Sequence, residues 1–349
     1  LQFSLKENKI IFDNLNKYFF KKINVTCLNK QNSELFIFNG KKINFDNTCN
    51  YAIGNKDIKI FKNIFILNDN EYKNSKIADL SEVDEIEFLN NNYYLNQNLI
   101  VTQNYYLPSN KKLVISEGVK IDFKNDSLIF SEGSIVFEGS EEKPIVIDGI
   151  DGKGSIILSN NTFNFDYVNI QNLSYPKDNS KILYGGINII NSEVSILNTK
   201  IENSNSEDAI NIISSNTYIK NLILNKIKAD AIDIDFGTLN FENISCINIS
   251  NDCLDVSGVQ INGYNLKGNN ISDKGLSFGE NSNGMISNID FQNARLGVAV
   301  KDGSELRLSE YKLTNNEYDI AVFNKKNEYD GSSLIIKNSI KDTNLKFLI

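Results

Sequence analysis

Apolar and polar residues alternate with a fixed period in the C-terminal half of the chain. Five segments with the same pattern begin 22 residues apart: 207–213, 229–235, 251–257, 273–279 and 295–301. Each contains two apolar residues separated by one position, and these pairs are Ile210/Ile212, Ile232/Ile234, Leu254/Val256, Leu276/Phe278 and Val298/Val300. Alternation with period 2 predicts strands, and a strict repeat of this length is typical of a solenoid in which each repeat forms one coil.

The intervening positions of these predicted strands form columns of polar and charged residues. One column contains Asp208, Asp230, Asp252 and Lys274; the next contains Asn211, Asp233, Asp255, Ser277 and Ala299; the third contains Asp235, Ser257, Gly279 and Lys301. Stacked strands lie about 4.8 Å apart, so members of a column become direct neighbours on one sheet. Because Asp230 shares its parity with the inward Ile232, we expect the chain to bend near Ala231 so that Asp230 faces outwards.

Asparagine recurs with nearly the same period. One column runs Asn198, Asn221, Asn243, Asn265 and Asn288, and another runs Asn203, Asn225, Asn248, Asn270, Asn293 and Asn315. Asparagine tolerates left-handed backbone angles, and its amide bonds the backbone of turns. These columns therefore predict the corners of the coils.

The repeat does not extend to the start of the chain. Residues 1–75 are predicted to form a β-rich cap or small domain, since an open solenoid end exposes unpaired backbone. Residues 76–349 are predicted to form a single-stranded right-handed parallel β-helix, an all-β fold. Its first coils are expected in the short strands 98–101, 112–115, 119–123, 127–130, 134–137 and 144–147. The loop 173–181 is an insertion, and such insertions often wall a binding groove.

Composition narrows the classes of function. The net charge of −8 and the pI near 4.9 disfavour nucleic acid as a partner, because phosphate binding needs a basic surface. No window is long and apolar enough to span a membrane. The chain opens with Leu1 and its single methionine is Met285, so we expect a processed or trimmed start. Histidine and tryptophan are absent, which excludes a Ser-His-Asp triad and leaves Tyr or Phe as the platform for a sugar ring.

Four cysteines leave the redox setting open. Cys27 and Cys49 could form a disulfide in an N-terminal hairpin, which would imply an oxidising compartment, or they could be free thiols. Cys246 and Cys253 are interpreted as small buried hydrophobic residues.

The stacked acids admit two interpretations. They could form a merely solvated surface, with Lys274 offsetting part of the charge. Alternatively, neighbouring carboxyls raise one another's pKa, which places a general acid beside a base. On that interpretation Asp230, Asp252, Asp233 and Asp255 are the candidate catalytic residues. Their oxygens could also hold Ca²⁺, although no cofactor is required. Asp208, Asp235, Lys274 and Lys301 are the candidate substrate-binding residues, the lysines as anchors for a substrate carboxylate.

These residues carry a partial resemblance to polygalacturonases, glycoside hydrolase family 28. Ala229–Ile234, Asn251–Cys253, Lys274–Ser277 and Gly297–Lys301 are similar to that family's motifs N-T-D-G-I, D-D-C, G-H-G-L-S and R-I-K, in the same order over roughly 70 residues. The resemblance implies a right-handed parallel β-helix. It would make Asp230 and Asp252 acids of the water-activating pair and Lys301 a substrate-binding lysine. Asn251 replaces the family's proton donor, Lys274 its histidine and Ala299 its arginine, so polygalacturonase activity is not predicted.

Residues from about 91 to 345 also resemble β-helix regions of bacterial surface proteins that accompany CotH-like domains. The phrases that carry this likeness lie at 206–212, 251–258 and 272–280. It implies the fold and a secreted or cell-envelope setting, with a separate envelope protein or domain as a further partner, but no reaction.

Together these features predict a secreted or envelope-associated protein that binds a polysaccharide in an acidic groove on one parallel sheet, and that could cleave or modify it as a hydrolase, lyase or epimerase. A non-catalytic surface scaffold or adhesion module is the alternative.

Overall fold

The structure is a computed structural model that describes residues 77–176, 183–337 and 345–348, together with the backbone of seven strands before residue 58. The chain divides into two compact units, residues 1–76 with 179–181, and residues 77–178 with 182–349. The interpretation of residues 1–75 as a cap or small domain stays a prediction.

The strands of the first unit form two antiparallel sheets. These strands are β1 (Gln2–Lys6), β2 (Lys9–Asp13), β3 (Lys21–Cys27), β4 (Lys30–Ile37), β5 (Lys42–Asn44), β6 (Cys49–Ile53) and β7 (Lys56–Asp57). One sheet has the order β1-β2-β5, and the other has the order β4-β3-β6-β7. The backbone register places Cys27 opposite Cys49. Whether their sulfurs are bonded lies outside the described side chains.

The second unit begins with an irregular edge and continues into short strands. Its first elements are β8 (Ala78–Asp79), a 3-10 helix (Leu80–Glu82), β9 (Ile86–Leu89), β10 (Asn92–Leu95), β11 (Leu99–Val101), β12 (Tyr105–Leu107), β13 (Lys112–Ser116), β14 (Lys120–Phe123), β15 (Leu128–Ser131), β16 (Ser134–Glu138), β17 (Ile145–Gly149), β18 (Ser155–Ser159), β19 (Thr162–Asp166) and β20 (Val168–Gln171). The strands predicted between residues 98 and 147 are found here, with ends that differ by a few residues.

Longer strands follow, and several run round the corners of a coil without interruption. They are β21 (Gly185–Ile190), β22 (Glu193–Glu202), β23 (Asp208–Ile227), β24 (Asp230–Ile249), β25 (Leu254–Gly279), β26 (Asn283–Lys301), β27 (Glu305–Leu308), β28 (Tyr311–Thr314), β29 (Tyr318–Phe323), β30 (Ser333–Ile336) and β31 (Phe347–Leu348).

Strand pairing confirms the predicted parallel β-helix. Strand β23 pairs in parallel with β24, and β24 pairs in parallel with β25, so that Ile210, Ile232 and Leu254 are register partners. Each step along this column is 22 residues, as the sequence pattern requires. Within the described part of the second unit, only the β9–β10 hairpin is antiparallel. The solenoid has about ten turns.

The alternating apolar residues fill the interior of the solenoid. Ile210, Ile232, Leu254, Leu276 and Val298 are each completely buried, and they belong to one continuous hydrophobic cluster. Burial of these side chains is the main stabilising contribution to a fold whose coils contact chiefly their neighbours. Over the described residues, no helix is long and apolar enough to cross a membrane.

Candidate functional site

The bend expected near Ala231 is present, and small side chains make it possible. Ala209, Ala231 and Cys253 are buried in the hydrophobic cluster, and so is the residue that follows each of them. Two consecutive residues therefore face inwards, which gives the preceding aspartate the parity of the outward positions; of these aspartates, Asp230 is half-buried, whereas Asp208 and Asp252 are buried. The sequence signal for this bend is a column of small residues that runs Gly186, Ala209, Ala231, Cys253, Gly275 and Gly297.

The first column of acids completes the backbone ladder at this bend. The Oδ1 atom of Asp230 accepts a hydrogen bond from the backbone N–H of Asp252 at 2.7 Å and another from Nδ2 of Asn251 at 2.7 Å. The Oδ1 atom of Asp252 accepts from the backbone N–H of Lys274 at 2.8 Å. Asp230 and Asp252 therefore have a structural task, since a buried N–H without a partner costs about 1–3 kcal/mol.

Asp208 begins the same column and lies at its N-terminal end. Its side chain is 3 % exposed, and its Oδ2 atom accepts from Nδ2 of Asn211 at 2.9 Å. Its backbone N–H donates to the carbonyl of Tyr184 at 3.2 Å. Tyr184 is 47 % exposed, so an aromatic ring is available where the acidic column begins.

The residues of the middle column alternate with the buried apolar residues and therefore occupy outward-facing positions. Register places Asn211, Asp233 and Asp255 in sequence, followed by Ser277 and Ala299. Asp233 accepts from Nδ2 of Asn211 at 3.3 Å. The Oδ1 atom of Asp255 and the Oγ atom of Ser277 are buried, and neither has a hydrogen-bond partner among the described residues. Both atoms are enclosed by the protein, and the Oδ1 atom of Asp255 lies 3.8 Å from Nζ of Lys301.

The third column contains a lysine that reaches back towards the acids. Asp235 and Ser257 are register partners, and Lys301 occupies the same column beyond Gly279. A Cβ atom at Gly279 would lie 2.7 Å from Cε of Lys301, so the glycine provides the space that the lysine stem occupies. The Nζ atom of Lys301 lies 3.8 Å from Oδ1 of Asp255, and Lys301 is 7 % exposed.

Lys274 is enclosed by carboxylates. Its Nζ atom lies 3.2 Å from both carboxylate oxygens of Asp252 and forms a further ion pair with Asp273. Arg295 Nη1 donates to Asp273 Oδ1 at 3.0 Å. The charge of Lys274 is therefore largely balanced inside the protein. The sequence suggested that Lys274 offsets part of the acidic charge, but the contacts with Asp273 and Arg295 were not predicted because neither residue belongs to the three columns.

A segment that follows β29 borders the third column. Asp302 is completely buried, and its Oδ1 atom accepts from the backbone N–H groups of Lys325 and Lys326 at 2.6 and 2.7 Å. The side chain of Lys326 pairs with Glu280. Sequence reasoning also missed these residues, since the segment breaks the repeat.

Burial makes the acidic columns hard to ionise. Loss of solvent is the largest cause for every shifted member, and the neighbouring carboxylates add to it. The pKa of Asp233 is raised to about 9. The pKa values of Asp208 and Asp252 rise to about 7, and those of Asp230 and Asp235 rise to about 6. The cluster can therefore hold and exchange protons near neutral pH.

The candidate residues lie on one outer face, which we call the acidic face: Asp208, Asp230, Asp233, Asp235, Asp252, Asp255, Lys274 and Lys301. No group of three or more Asp, Glu or Cys residues in the described ranges is arranged to hold a metal ion. Ca²⁺ binding stays a prediction. Of the loop 173–181 that was expected to wall the groove, residues 177–181 lie outside the described residues.

The interpretation of Cys246 and Cys253 as unpaired hydrophobic residues is wrong in one respect. Both are completely buried, as expected, but they form a disulfide with an S–S distance of 2.08 Å. Their Cα atoms are 5.8 Å apart because the bend brings Cys253 inwards, opposite the strand that carries Cys246. A sequence separation of 7 residues on apparently extended segments concealed this contact.

Comparisons with known proteins give a fold likeness and no family. No family model matches the chain, and no curated protein matches it. The polygalacturonase and CotH-associated resemblances therefore stay expectations.

Several solved structures align over most of the chain at low similarity. The catalytic domain of a GH87 alpha-1,3-glucanase in complex with nigerose is 10% identical, covers 94% of this chain and 88% of its own, and has a TM-score of 0.36. An alginate lyase from Paenibacillus sp. str. FPU-7 is 11% identical, with 72% and 97% coverage and a TM-score of 0.33. The periplasmic alginate epimerase AlgG is 10% identical, with 77% and 82% coverage and a TM-score of 0.29. Scores this low carry no argument about the site, so the fold assignment rests on strand register.

Proposed function

We propose that the acidic face binds a polysaccharide and that its three columns supply acid and base groups for cleavage or modification of that chain. The observation that carries the proposal is the placement of Asp233, whose pKa is about 9, beside Asp230 and Asp235, whose pKa values are about 6. Pairs of carboxyls whose environments separate their pKa values are typical of acid/base sites.

The arrangement divides the roles among the acids. At neutral pH Asp233 retains its proton and can donate it, whereas Asp230 and Asp235 are mostly ionised and can accept one. Asp252 is tied to Lys274, so we assign it to positioning. Asp255 stays a candidate catalytic residue; it is half-buried, and its Oδ1 atom lies 3.8 Å from Nζ of Lys301.

The shape of the face suits an extended ligand. Five coils contribute to the columns, and at about 4.8 Å per coil their side chains extend for roughly 20 Å along the solenoid. Tyr184 offers a ring for stacking at one end. Lys274 and Lys301 are the candidate anchors for an anionic group, which makes uronate-containing glycans one class of substrate to test.

The disulfide supports a secreted or cell-envelope setting. Disulfides persist in oxidising compartments and are rare in reducing ones, and the Cys246–Cys253 bond lies in the interior of the solenoid. A separate envelope protein or domain as partner remains part of this proposal.

A non-catalytic scaffold or adhesion module is the second candidate, and one observation favours it. The carboxylates of Asp230 and Asp252 bind backbone N–H groups of the next coil, so part of the acidic column is explained by the stability of the bend alone. A surface with this structural role could bind a glycan without turning it over.

A substrate screen with matched variants separates the two candidates. The protein would be incubated with neutral, uronate-containing and aminated polysaccharides, with and without EDTA, and both binding and product release would be measured. Asp233→Asn and Asp255→Asn preserve side-chain shape, and Asp290→Asn is the matched control on another sheet, where Asp290 pairs with Lys312 at 3.6 Å.

Product release that is lost in Asp233→Asn but kept in Asp290→Asn would support the enzyme. Binding without turnover in all variants would support the scaffold with a glycan partner. Absence of binding to every polysaccharide would refute the proposal. Loss of activity with EDTA would establish the metal requirement that stays a prediction here.

A further inference from the structure

A lysine and an aspartate face each other in an enclosed position at the C-terminal end of the acidic face. The Nζ atom of Lys301 lies 3.8 Å from the Oδ1 atom of Asp255, and the lysine side chain is 9 % exposed. This Oδ1 atom is buried and has no hydrogen-bond partner among the described residues. The distance between the two atoms is too long for a hydrogen bond. The pair therefore lacks the mutual hydrogen bond that normally stabilises enclosed ions.

The neighbouring residues are small, and they leave a path that leads the lysine to this aspartate. Lys301 lies in the third column, two coils beyond the strand segment that carries Asp255. Its stem passes over Gly279, where a Cβ atom would lie 2.7 Å from Cε of the lysine. Ser277, the next residue of the middle column, is completely buried. The position of the ammonium group therefore follows from the packing of the coils between the two residues.

Two other ion pairs of the solenoid are stabilised in ways that this pair is not. The Nζ atom of Lys274 donates to both carboxylate oxygens of Asp252 at 3.2 Å. The Nζ atom of Lys312 lies 3.6 Å from Oδ2 of Asp290, but the side chain of Lys312 is 53 % exposed, so water solvates its charge. Hydrogen bonds stabilise the first pair and solvent stabilises the second.

A carboxyl group that keeps its proton at neutral pH lies directly beside Asp255. Asp233 is the register partner of Asp255 on the preceding coil, and burial raises the pKa of Asp233 to about 9. A protonated carboxyl can give a proton to a departing hydroxyl and accept one from an amine. An amine, a carboxyl group and a proton donor are therefore held together in a fixed arrangement, which makes a reaction between them effectively unimolecular.

We propose that Lys301 and Asp255 are joined by an isopeptide bond, an amide between their side chains that forms in the folded solenoid. The bond from Nζ to Cγ of Asp255 forms, the bond from Cγ to one carboxyl oxygen breaks, and that oxygen leaves as water.

The protons and charges of this condensation balance within the protein. The ammonium group of Lys301 first passes one proton to the carboxylate of Asp255, and the resulting amine attacks Cγ. Asp233 gives its proton to the departing hydroxyl and regains one from the nitrogen, so it ends as it began. An ammonium and a carboxylate become one neutral amide and one water molecule, and neither an oxidant nor a reductant takes part.

The bond goes beyond the proposed polysaccharide function and leaves it standing. It withdraws Asp255 and Lys301 from the groups open to a substrate, whereas Asp230, Asp233 and Asp235, which carry that proposal, retain their acid and base roles. A covalent link across two coils also fixes the C-terminal end of the acidic face.

Mass spectrometry of the intact chain, reduced and denatured, tests the proposal. We expect a mass that is lower by one water molecule than the mass of the reduced sequence. After digestion with trypsin, the peptides that contain Asp255 and Lys301 should appear as one branched species, because an acylated lysine is not a cleavage site. An amine-acylating reagent applied to the denatured protein should label Lys312 and not Lys301.

Substitutions assign the bond to its two residues. Lys301→Arg removes the amine and Asp255→Ala removes the carboxyl group, so both variants should keep the mass of their full sequences. Asp255→Asn should form the same amide with ammonia as the leaving group, and its final mass should equal that of the parent protein. Asp233→Asn lacks the proton donor and should form the bond more slowly. Asp290→Ala, in the solvated pair, should still lose one water molecule.

Several results would overturn the proposal. The parent protein could have the full mass of its sequence, which requires no variant to interpret. The loss of water could persist in Lys301→Arg, or the branched peptide could join Lys274 to Asp252. Each of these outcomes would leave the polysaccharide function untouched, because the glycan screen tests that function separately.

Discussion

At the scale of single residues, aspartates that lie three positions apart in the sequence make different contacts and have different roles. Asp230 and Asp252 flank the bend, where their carboxylates accept backbone N–H groups of the next coil. Asp233 and Asp255 follow the buried Ile232 and Leu254 and point away from the interior. The first pair stabilises the coil, with Asp230 also proposed as a base, and the second pair is proposed for chemistry alone. Chemical type alone did not distinguish them; their backbone hydrogen bonds do.

Gly279 is expected to control the position of Lys301. A Cβ atom there would lie 2.7 Å from Cε and 3.1 Å from Cγ of the lysine. Gly279→Ala should therefore push the lysine stem out of its groove and away from Asp255. Because Lys301 is 7 % exposed, its reactivity towards an amine-acylating reagent should rise several-fold, as measured by peptide mass spectrometry.

Gly331→Ala is the control for this prediction, since no atom lies within 4 Å of a Cβ built at Gly331. Unchanged labelling of Lys301 in Gly279→Ala would mean that the glycine does not create the lysine's path.

At the scale of structural elements, three columns of left-handed residues turn each coil. Two are the predicted asparagine columns, in which Asn221, Asn243 and Asn265 have φ values of 55°, 63° and 65°. Their amides form a continuous ladder, with Nδ2 of Asn243 donating to Asn221 at 2.8 Å and Nδ2 of Asn265 donating to Asn243 at 2.6 Å. In the second column Asn225 is out of place, because the positive φ belongs to Lys226, at 56°.

The third corner was not predicted, and the reason is chemical. Its left-handed residues are Asn191, Ser214, Phe236, Gly258, Glu280 and Asp302. Only one of them is asparagine, so no single residue type marks the column. Regular strands follow from the hydrophobic period, whereas a corner without a residue signature becomes visible only from backbone angles.

Removal of one ladder residue should cost stability through two separable effects. Asn243→Ala loses both hydrogen bonds of the side-chain amide. It also places alanine, which tolerates left-handed backbone angles less well than asparagine, at φ 63°. We expect a loss of about 2–3 kcal/mol in the free energy of unfolding. Asn243→Gly relieves the backbone and should lose about 1–2 kcal/mol. Urea denaturation measures both.

Asn240→Ala serves as the reference, since Asn240 is exposed on the same coil and has no positive φ. A surface change of this kind is expected to stay within about 0.5 kcal/mol. If the alanine and glycine variants at position 243 were equally stable, the left-handed angle would contribute nothing.

At the scale of the whole molecule, the sequence predicts the architecture better than the environment of its acids. The period of 22 residues and the parity of Ile232 determine the stacking and the face of Asp233. Neither reveals that Asp208 and Asp252 are only 3 and 2 % exposed, because a periodic pattern does not specify how neighbouring side chains pack. The ion pairs of Lys274 with Asp273 and of Lys326 with Glu280 depend on residues outside the columns.

Burial of the acids should make the stability of the whole fold fall as the pH rises. Asp208, Asp230, Asp233, Asp235 and Asp252 have folded-state pKa values of about 7, 6, 9, 6 and 7, all above the ordinary value of 3.8. Between about pH 4 and 9 the folded protein therefore binds more protons than the unfolded chain, and the free energy of unfolding decreases with increasing pH.

Other shifted groups act outside this range, which isolates the effect. Asp79, Glu117 and Glu202 have lowered pKa values, so their contributions grow only up to about pH 5. The raised pKa values of Lys220, Lys274 and Lys326 add stability that is lost only above 10.5. Among the described residues, the acidic face should therefore determine the trend from about pH 5 to 9.

Thermal unfolding followed by circular dichroism tests this directly, with a melting temperature expected to drop by roughly 5 °C or more from pH 5 to pH 9. Asp233→Asn has no proton to gain on folding, so it should raise the melting temperature at the alkaline end, have little effect near pH 5, and flatten the curve. Asp290→Asn should keep the slope of the parent protein.

A melting temperature that rises towards pH 9, or a slope unaffected by Asp233→Asn, would show that these carboxyls are solvated. The acid and base roles assigned to the acidic face would then lose their physical basis.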